Sequence, residues 1–318
     1  MSTARWSAAH HSNQMTSSPS PGPSPPQPDQ RPLIAVVGLT ASGKSDWALR
    51  IAQHLDGEIV SIDSRQIYRR LDIGTAKPTA AMRETVPHWC VDFVEPTERY
   101  SLGAYLKAAR TAIDDVRARG KRPIAVGGSG QHMRALLEGW QVPPVESDEG
   151  FRESLAKESA RSLFECLNEV DPEAARQIGP TNTRRMIRAL EVHHVTGTPI
   201  SVWQRLRESV DYRAVAPDVP LDALDDRIAQ RTSEMFEAGL VDEVRDLLAD
   251  GTPADAPGFD AIGYREVLAH LSGELTLDEA ISGVVQATRR FARRQRTWFR
   301  RDDPSICWSA DVPLAMLG

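Results

Sequence analysis

Cysteine and long apolar runs are the features this sequence has least of. Only three cysteines, Cys90, Cys166 and Cys307, occur in 318 residues, far apart and without the paired spacing of a zinc site. This scarcity argues against a disulfide framework and fits a reducing compartment, so we expect a cytoplasmic protein. No apolar stretch approaches the roughly 20 residues that a membrane-spanning helix needs, so no membrane association is predicted.

The first 30 residues have almost no apolar pattern and are rich in Ser, Pro, Gln and His. Such a segment buries too little surface to offset the entropy lost on ordering, so residues 1–30 are predicted to be a disordered tail. Because no apolar segment follows the first residues, a signal peptide is not expected.

One complete motif follows this tail. Residues 38–45 read GLTASGKS, the pattern G-x-x-x-x-G-K-[ST], between the apolar run 32–37 and a helical pattern that starts at Asp46. This order surrounds a phosphate with backbone N–H groups, and it adds Lys44 as a cation and the Ser45 hydroxyl as a Mg²⁺ ligand. We therefore predict a diphosphate or triphosphate site with Mg²⁺ as cofactor. Its residues are Gly38, Thr40, Ala41, Ser42, Gly43, Lys44 and Ser45.

Short apolar runs alternate with helical patterns in the first half of the chain. Alternation of this kind predicts an α/β fold, here a P-loop NTPase-like parallel sheet core with helices on both faces and a helical insertion domain. Ligands of such sheets bind at the carboxyl ends of the strands. The predicted strands are residues 32–37, 58–62, 90–94 and 122–126, and residues 102–119 form a helix between them.

The sequence changes character after residue 140, where a Pro-containing stretch precedes a mostly helical second half. An irregular stretch at 211–220 is expected to end the first helical block, and helices are expected at 224–249 and 277–301. The predicted segments after the tail are the core at 31–140, the helical insertion at 141–210, a helical continuation of the core at 211–308 and a short tail at 309–318.

Asp63 directly follows the second predicted strand, so its carboxylate is expected in the same crevice as Lys44. Three roles fit this position: a Mg²⁺ ligand, a general base, or a cap on the next helix. Position alone does not choose between them. The glycine-rich run 127–130 also ends a strand, and we interpret it as an ordinary turn into a helix.

Positive charge is in deficit overall, with a formal net charge of −6, but it is concentrated near the end of the chain. Residues 289–301 interleave arginines with Phe291, Trp298 and Phe299. Arginines contact phosphates and aromatic rings stack on unpaired bases, so nucleic-acid contact is favoured over arginines that merely surround core aromatics. Arg184 and Arg188 share another helical face, which fits a phosphate clamp or a solvated surface.

These features leave three classes open. A small-molecule kinase explains the phosphate loop but not the basic aromatic segment. A transferase that acts on nucleic acid with a diphosphate-bearing substrate explains both. The third class is an NTP-driven nucleic-acid-binding switch. An apolar strand that ends in Asp-Glu, typical of proteins that hydrolyse ATP to drive motion, is not evident, which is a weak argument against this class.

The motifs, in their order along the chain, resemble those of tRNA dimethylallyltransferases (tRNA isopentenyltransferases). The resemblance runs from about residue 33 to residue 308, and its most specific parts are GTAKP at 74–78, AIGYRE at 261–266 and RRQRTWFR at 293–300. The other matching segments are residues 38–45, 63–69, 127–130, 171–175, 185–192 and 238–244.

The resemblance implies transfer of a dimethylallyl group from dimethylallyl diphosphate to N6 of adenosine 37, in the anticodon loop of tRNA. The phosphate loop then holds the leaving diphosphate, Lys44 and Mg²⁺ at Ser45 neutralise its charge, and Asp63 takes the proton from N6. Ser129 is implied near the entering adenine, which must leave its base stack. The enzyme is expected to act as a monomer, and adenylate isopentenyltransferase is the related alternative.

The resemblance also implies a set of tRNA contacts, among which Gln295 is expected to touch an anticodon base. Two departures from the family pattern are Gln131-His132, where Leu-Tyr is common, and Trp89, where a second histidine is common. The implied tRNA-binding residues are Asp63, Ser64, Arg65, Gln66, Ser129, Arg152, Arg184, Arg185, Arg188, Arg294, Gln295, Trp298 and Arg300.

Overall fold

The computed structural model of the chain describes residues 29–143, 145 and 148–318. Most of the predicted disordered tail, residues 1–28, therefore lies outside the described residues. Asp29, which was assigned to that tail, is buried, and its carboxylate accepts a hydrogen bond of 2.7 Å from the Arg31 side chain. The folded part therefore includes residue 29.

The described strands form one six-stranded parallel sheet in the order β3-β2-β4-β1-β5-β6. The phosphate-loop strand β1 lies inside the sheet between β4 and β5, so the loop that follows it opens at the carboxyl edge. The strands are β1 (Leu33–Val36), β2 (Gly57–Ser61), β3 (His88–Trp89), β4 (Arg122–Val126), β5 (Tyr212–Pro217) and β6 (Ile306–Ser309).

Helices cover both faces of the sheet because the side chains on both faces of its central strands are apolar, as in β1. Leu33 and Ala35 pack into one core cluster with residues of α3, whereas Ile34 and Val36 pack into another with residues of α1. The predicted fold class is confirmed. The helices are α1 (Lys44–Leu55), α2 (Ala80–Thr85), α3 (Leu102–Ala118), α4 (Gly130–Leu137), α5 (Glu149–Leu155), α6 (Ala160–Val170), α7 (Pro172–Ile178), α8 (Thr183–Thr196), α9 (Ile200–Arg205), α10 (Leu221–Glu237), α11 (Leu240–Ala249), α12 (Tyr264–Leu271) and α13 (Leu277–Gln295).

The sequence misplaced one strand and missed two. The predicted strand at 90–94 is wrong, since β3 ends at Trp89 and Cys90 and Asp92 have φ angles of 61° and 58°, which break an extended chain. The stretch 211–220, predicted to be irregular, contains β5. The predicted tail at 309–318 begins within β6, whose last residue is Ser309, and its Leu317 is buried in the α1-side cluster.

Two predicted helices are shorter than expected. The helix predicted at 224–249 is broken at Gly239, whose φ of 99° separates α10 from α11. The helix predicted at 277–301 ends at Gln295. Helices α5 to α9 form a separate helical layer with its own core around Leu163, Leu167 and Met186. None of the helices within the described ranges is long and apolar enough to cross a membrane.

Candidate active site

The phosphate loop joins β1 to α1 through backbone conformations that strands and α-helices do not adopt. Gly38, Ala41 and Gly43 all have positive φ angles, of 130°, 60° and 92°. Lys44 is the first residue of α1, and Ser45 is exposed beside it. The Oγ atom of Ser42 is buried without a hydrogen-bond partner among the described residues. A loop of this shape, with an unpaired hydroxyl and a helix N-terminus, is suited to an anion.

The ammonium group of Lys44 lies inside the protein and donates a hydrogen bond to the carbonyl oxygen of Leu39. Burial and, to a smaller extent, the nearby Arg231 guanidinium lower the pKa of Lys44 to about 7, although Asp63 opposes both effects. The charged form of Lys44 is thus destabilised in the protein alone. A bound anion would favour that charged form and gain binding free energy from it.

Arg231 is a site residue that the sequence did not reveal. It lies on α10, where burial lowers its pKa and the carboxylates of Asp63 and Glu234 oppose that effect. In the sequence it is one arginine in a long charged helix. Its only signal is its position within a stripe of less polar residues, Ile228, Thr232 and Met235, at spacings of a helical face.

Asp63 lies just beyond β2, in a turn that fixes its side chain. One carboxylate oxygen, Oδ1, accepts a hydrogen bond of 2.8 Å from the backbone N–H of Arg65, while Oδ2 has no hydrogen-bond partner among the described residues. The next residue, Ser64, donates its N–H to Ser129 Oγ at 3.1 Å. Because residues 64–67 form a turn, Asp63 is not the cap of a helix. The turn holds the Oδ1 atom of Asp63 in place and leaves Oδ2 free to accept a proton.

Asp63 and Arg231 line one cavity of about 410 Å³ at the carboxyl edge of the sheet, whereas Ser42, Lys44 and Ser45 are not among its lining residues. Of the predicted site residues, the structure brings Thr40, Ala41, Asp63, Ser64, Arg65, Ser129 and Arg294 to its wall. The lining residues that were not predicted include Arg231, His132, Met235, Ile262, Thr288 and Phe291. The cavity therefore combines cations and a carboxylate with an apolar surface.

His132 contributes a further titratable side chain to this cavity. Its ring packs edge-on against Tyr105, with centroids 4.8 Å apart, and the Tyr105 hydroxyl donates to the carbonyl oxygen of Ser61 at 2.8 Å. Burial lowers the pKa of His132, while Asp63 opposes this effect. The residue that departs from the family pattern is thus a neutral aromatic ring near Asp63.

Gln295 is a structural brace, and its contact with an anticodon base stays a prediction. The residue is 2% exposed, accepts a hydrogen bond of 2.7 Å from Thr40 N and donates one of 2.7 Å to the carbonyl oxygen of Gly128. Its amide therefore ties the phosphate loop to the glycine-rich run. Gln66 is also internally bonded, to Ser61 Oγ at 2.8 Å and to the carbonyl oxygen of Ala76 at 3.0 Å.

The glycine-rich run 127–130 is more than the ordinary turn we expected. A Cβ atom on Gly127 would lie 2.0 Å from the carbonyl oxygen of Ile62, and one on Gly130 would lie 2.2 Å from the Trp298 ring. Only glycine allows these close approaches. Trp298, one of the predicted tRNA-binding residues, is half-buried. Its ring packs on the start of α4, so much of its surface is covered by the protein.

Several of the predicted tRNA-binding arginines are paired within the protein. Arg152 and Arg188 both hold the fully buried Glu191, at 2.8 Å and 2.6 Å. Burial alone would raise the pKa of Glu191, but these two arginines bring it below its ordinary value. Arg300 pairs with Asp302. Arg184, Arg185 and Arg294 are exposed and form no ion pair with another described residue.

Three of the family-like segments meet in one brace behind the cavity. The carboxylate of Glu243 accepts hydrogen bonds from the backbone N–H groups of Asp72 and Ile73, at 2.9 Å and 2.8 Å, and from the Tyr264 hydroxyl at 2.6 Å. Gly74 lies so close to the Tyr264 ring that a Cβ atom would fall 2.5 Å from it. The brace explains why GTAKP and IGYRE occur together.

The residues present fit a Mg²⁺ ion that arrives with a diphosphate. Within the described ranges, no three His, Cys, Asp or Glu side chains are grouped to hold a metal. Mg²⁺ commonly takes few protein ligands and several from substrate phosphates and water. Ser45, exposed at the start of α1, supplies a hydroxyl for such an arrangement.

The low pKa of Lys44 predicts that diphosphate affinity depends on pH. Lys44 is neutral in the free protein above its pKa of about 7 and must take up a proton when the anion binds. We therefore expect the affinity for pyrophosphate to fall by up to about tenfold per pH unit above that pKa. Titration calorimetry across this range measures it. Lys44→Arg keeps its charge over this range, so its affinity for pyrophosphate should not fall above pH 7 in this way. The same fall in Lys44→Arg as in the unmodified protein would contradict the role of Lys44.

Comparisons with known proteins identify the family of the chain. The sequence model of a family described as IPP transferase matches residues 66–302. The chain is 48% identical over 287 residues to the tRNA dimethylallyltransferase of Roseiflexus sp. (strain RS-1), covering 88% of this chain and 94% of that protein. It is 42% identical over 285 residues to that of Corynebacterium jeikeium (strain K411), covering 88% and 92%.

Two solved structures are similar over most of their length. The tRNA isopentenylpyrophosphate transferase of Bacillus halodurans has a TM-score of 0.65 and 36% identity, with 88% of this chain and 90% of that chain covered. A eukaryotic dimethylallyltransferase acting on tRNA has a TM-score of 0.78 and 25% identity, with 88% and 73% covered. The chain belongs to the IPP transferase family, the family of the tRNA dimethylallyltransferases.

Proposed function

We propose that the protein transfers a dimethylallyl group from dimethylallyl diphosphate to N6 of adenosine 37 in tRNA, giving N6-isopentenyladenosine and diphosphate. The observation that carries this proposal is the composition of the 410 Å³ cavity, which brings Asp63 and Arg231 together with an apolar wall that includes Ile228, while Lys44 lies within electrostatic reach of both charged groups. The cations can bind the diphosphate, the carboxylate can accept a proton, and the apolar wall can pack against the hydrocarbon of the prenyl group.

The diphosphate is held by the phosphate loop, by Lys44 and by Arg231. The backbone N–H groups of the loop and the two partly buried cations stabilise the negative charge that grows on the leaving group. A Mg²⁺ ion held at the Ser45 hydroxyl adds further charge neutralisation when it is bound. Water is kept from the allylic carbon by the apolar wall, to which Ile262, Val284 and Phe291 contribute.

Asp63 acts as the base for the adenine amine. The bond between the allylic carbon and the diphosphate oxygen breaks, and the diphosphate leaves with the electron pair. The N6 nitrogen forms the new bond to that carbon and its proton passes to Asp63 Oδ2. Hydrogen bonding of Oδ1 to Arg65 N and of Ser64 to Ser129 keeps the carboxylate aimed into the cavity. Ser129 therefore acts by positioning this turn.

The tRNA is held by exposed arginines around the cavity and on the helical layer. Arg294 lies at the cavity wall, and Arg290 and Arg296 are exposed on the same basic segment. Arg184 and Arg185 are exposed at the start of α8. Such cations contact phosphates and position the RNA, while the cavity selects the base. We also propose that the enzyme acts in the cytoplasm as a monomer.

Incubation with labelled dimethylallyl diphosphate and Mg²⁺ tests this function. We expect label in tRNA, with none in AMP and no phosphate transfer from ATP. Label in AMP alone would instead indicate an adenylate isopentenyltransferase, and phosphate transfer without prenylation would indicate a kinase. Replacing adenosine 37 with guanosine in an otherwise identical tRNA provides the matched control and should remove the label.

A further inference from the structure

We propose that Met235 limits the prenyl group to five carbons by closing the active-site cavity against a second cavity behind it. This inference rests on the proposed prenyl transfer. It makes Met235 a specificity-determining residue that touches the hydrocarbon of the substrate and takes no part in the chemistry.

The second cavity, of about 820 Å³, lies between α10, α2 and the segment 72–80. Its lining shares only two residues with that of the active-site cavity, namely Arg231 and Met235. These two side chains therefore belong to the partition between the cavities. Arg231 is the polar part, which the diphosphate needs, and Met235 is the apolar part.

The spacing along α10 explains this shared position. Residues 228, 231, 232 and 235 line the active-site cavity, whereas residues 231, 234, 235 and 238 line the second one. The two sets are adjacent faces of one helix, and positions 231 and 235 lie where the faces overlap. Met235 is therefore held one helical turn beyond the cation that binds the diphosphate.

The opposite side of the partition is a braced loop. Gly74 and Thr75 line the active-site cavity, while Ile73 and Ala76 line the second cavity. Gln66 donates hydrogen bonds to the carbonyl oxygens of Thr75 and Ala76, at 3.3 Å and 3.0 Å. Because that side is fixed, the unbranched and adaptable Met235 side chain is the part that a substitution can open.

Along α10, Arg231 lies between two apolar residues that line the active-site cavity, Ile228 on one side and Met235 on the other. A hydrocarbon held beside Arg231 therefore extends toward one of these two residues. Ile228 is 1% exposed and packs with Leu39 and Leu224 in a core cluster, so these two side chains stand between it and any space beyond. Behind Met235 lies the second cavity, whose wall includes Ile73 and Ala238. An additional isoprene unit can therefore extend past Met235 but not past Ile228.

Met235→Ala tests the partition by comparing dimethylallyl diphosphate with geranyl diphosphate as donors to the same tRNA. We expect the unmodified enzyme to prefer the shorter donor by about 100-fold or more in kcat/KM, and Met235→Ala to raise geranyl transfer at least about tenfold. The bonds broken and formed are the same for both donors. Met235→Leu, which keeps the side-chain volume, should retain the original preference.

Ile262→Ala is the control that enlarges the active-site cavity without opening the partition, since Ile262 lines only that cavity. It should lower dimethylallyl transfer without any gain in geranyl transfer. Equal use of both donors by the unmodified enzyme, or no gain in a folded Met235→Ala or Met235→Val variant, would overturn the inference. If the unmodified enzyme transferred no dimethylallyl group to tRNA, the proposed function itself would be overturned.

Discussion

Asp63→Asn is expected to reduce turnover by about 10²- to 10⁴-fold, the range that a positioned general base contributes. The amide cannot accept the N6 proton, but its Oδ1 atom can still accept the hydrogen bond from Arg65 N that holds the turn. The geometry of the cavity should therefore be kept. We expect the affinity for pyrophosphate to change little, because Lys44, Arg231 and the phosphate loop remain.

Asp260→Asn is the matched control, since Asp260 is a second carboxylate of the same cavity but is paired with Arg265 at 2.6 Å. It should retain most of the turnover. Single-turnover measurements with saturating tRNA and labelled dimethylallyl diphosphate separate the chemical step from binding and product release. Near-normal single-turnover rates in Asp63→Asn would remove Asp63 as the base.

The parts of the site that the sequence predicted are those encoded by short contiguous segments. The phosphate loop is complete within residues 38–45, and Asp63 follows its strand directly, so local patterns were sufficient for both. Strand β5 escaped prediction because its core, RAVAP, is a run of small residues that ends in a proline and resembles a loop. Its identity as a strand comes from pairing with β1 and β6.

The parts that escaped depend on contacts between distant segments. Gln295 lies 167 residues from Gly128 and 255 from Thr40, and no local pattern shows that its amide joins them. The sequence also shows the spacing of the arginines but not the carboxylates with which they form ion pairs. Arg188 was therefore predicted to contact tRNA, although its guanidinium holds the buried Glu191. Motif resemblance locates important positions, while the contacts decide which of them brace the site.

Arg231→Gln is expected to weaken diphosphate binding by about 10- to 150-fold, because a charge-assisted interaction is typically worth about 1.5–3 kcal/mol. The side chain is largely enclosed by protein and near Asp63, so its charge interacts strongly with a bound anion. Isothermal titration with pyrophosphate measures the loss. Arg231→Lys, which keeps the charge but not the forked geometry, should recover part of the affinity.

A second effect of Arg231→Gln distinguishes direct electrostatics from a general disturbance of the site. Arg231 helps to lower the pKa of Lys44, so its removal should raise that pKa and shift the pH at which pyrophosphate affinity begins to fall upward from about 7. Arg227→Gln, an exposed position on the same helix, should change neither the affinity nor this pH. Weaker binding with an unshifted pH profile would place Arg231 outside the electrostatic reach of Lys44, and unchanged binding would exclude it from the diphosphate site.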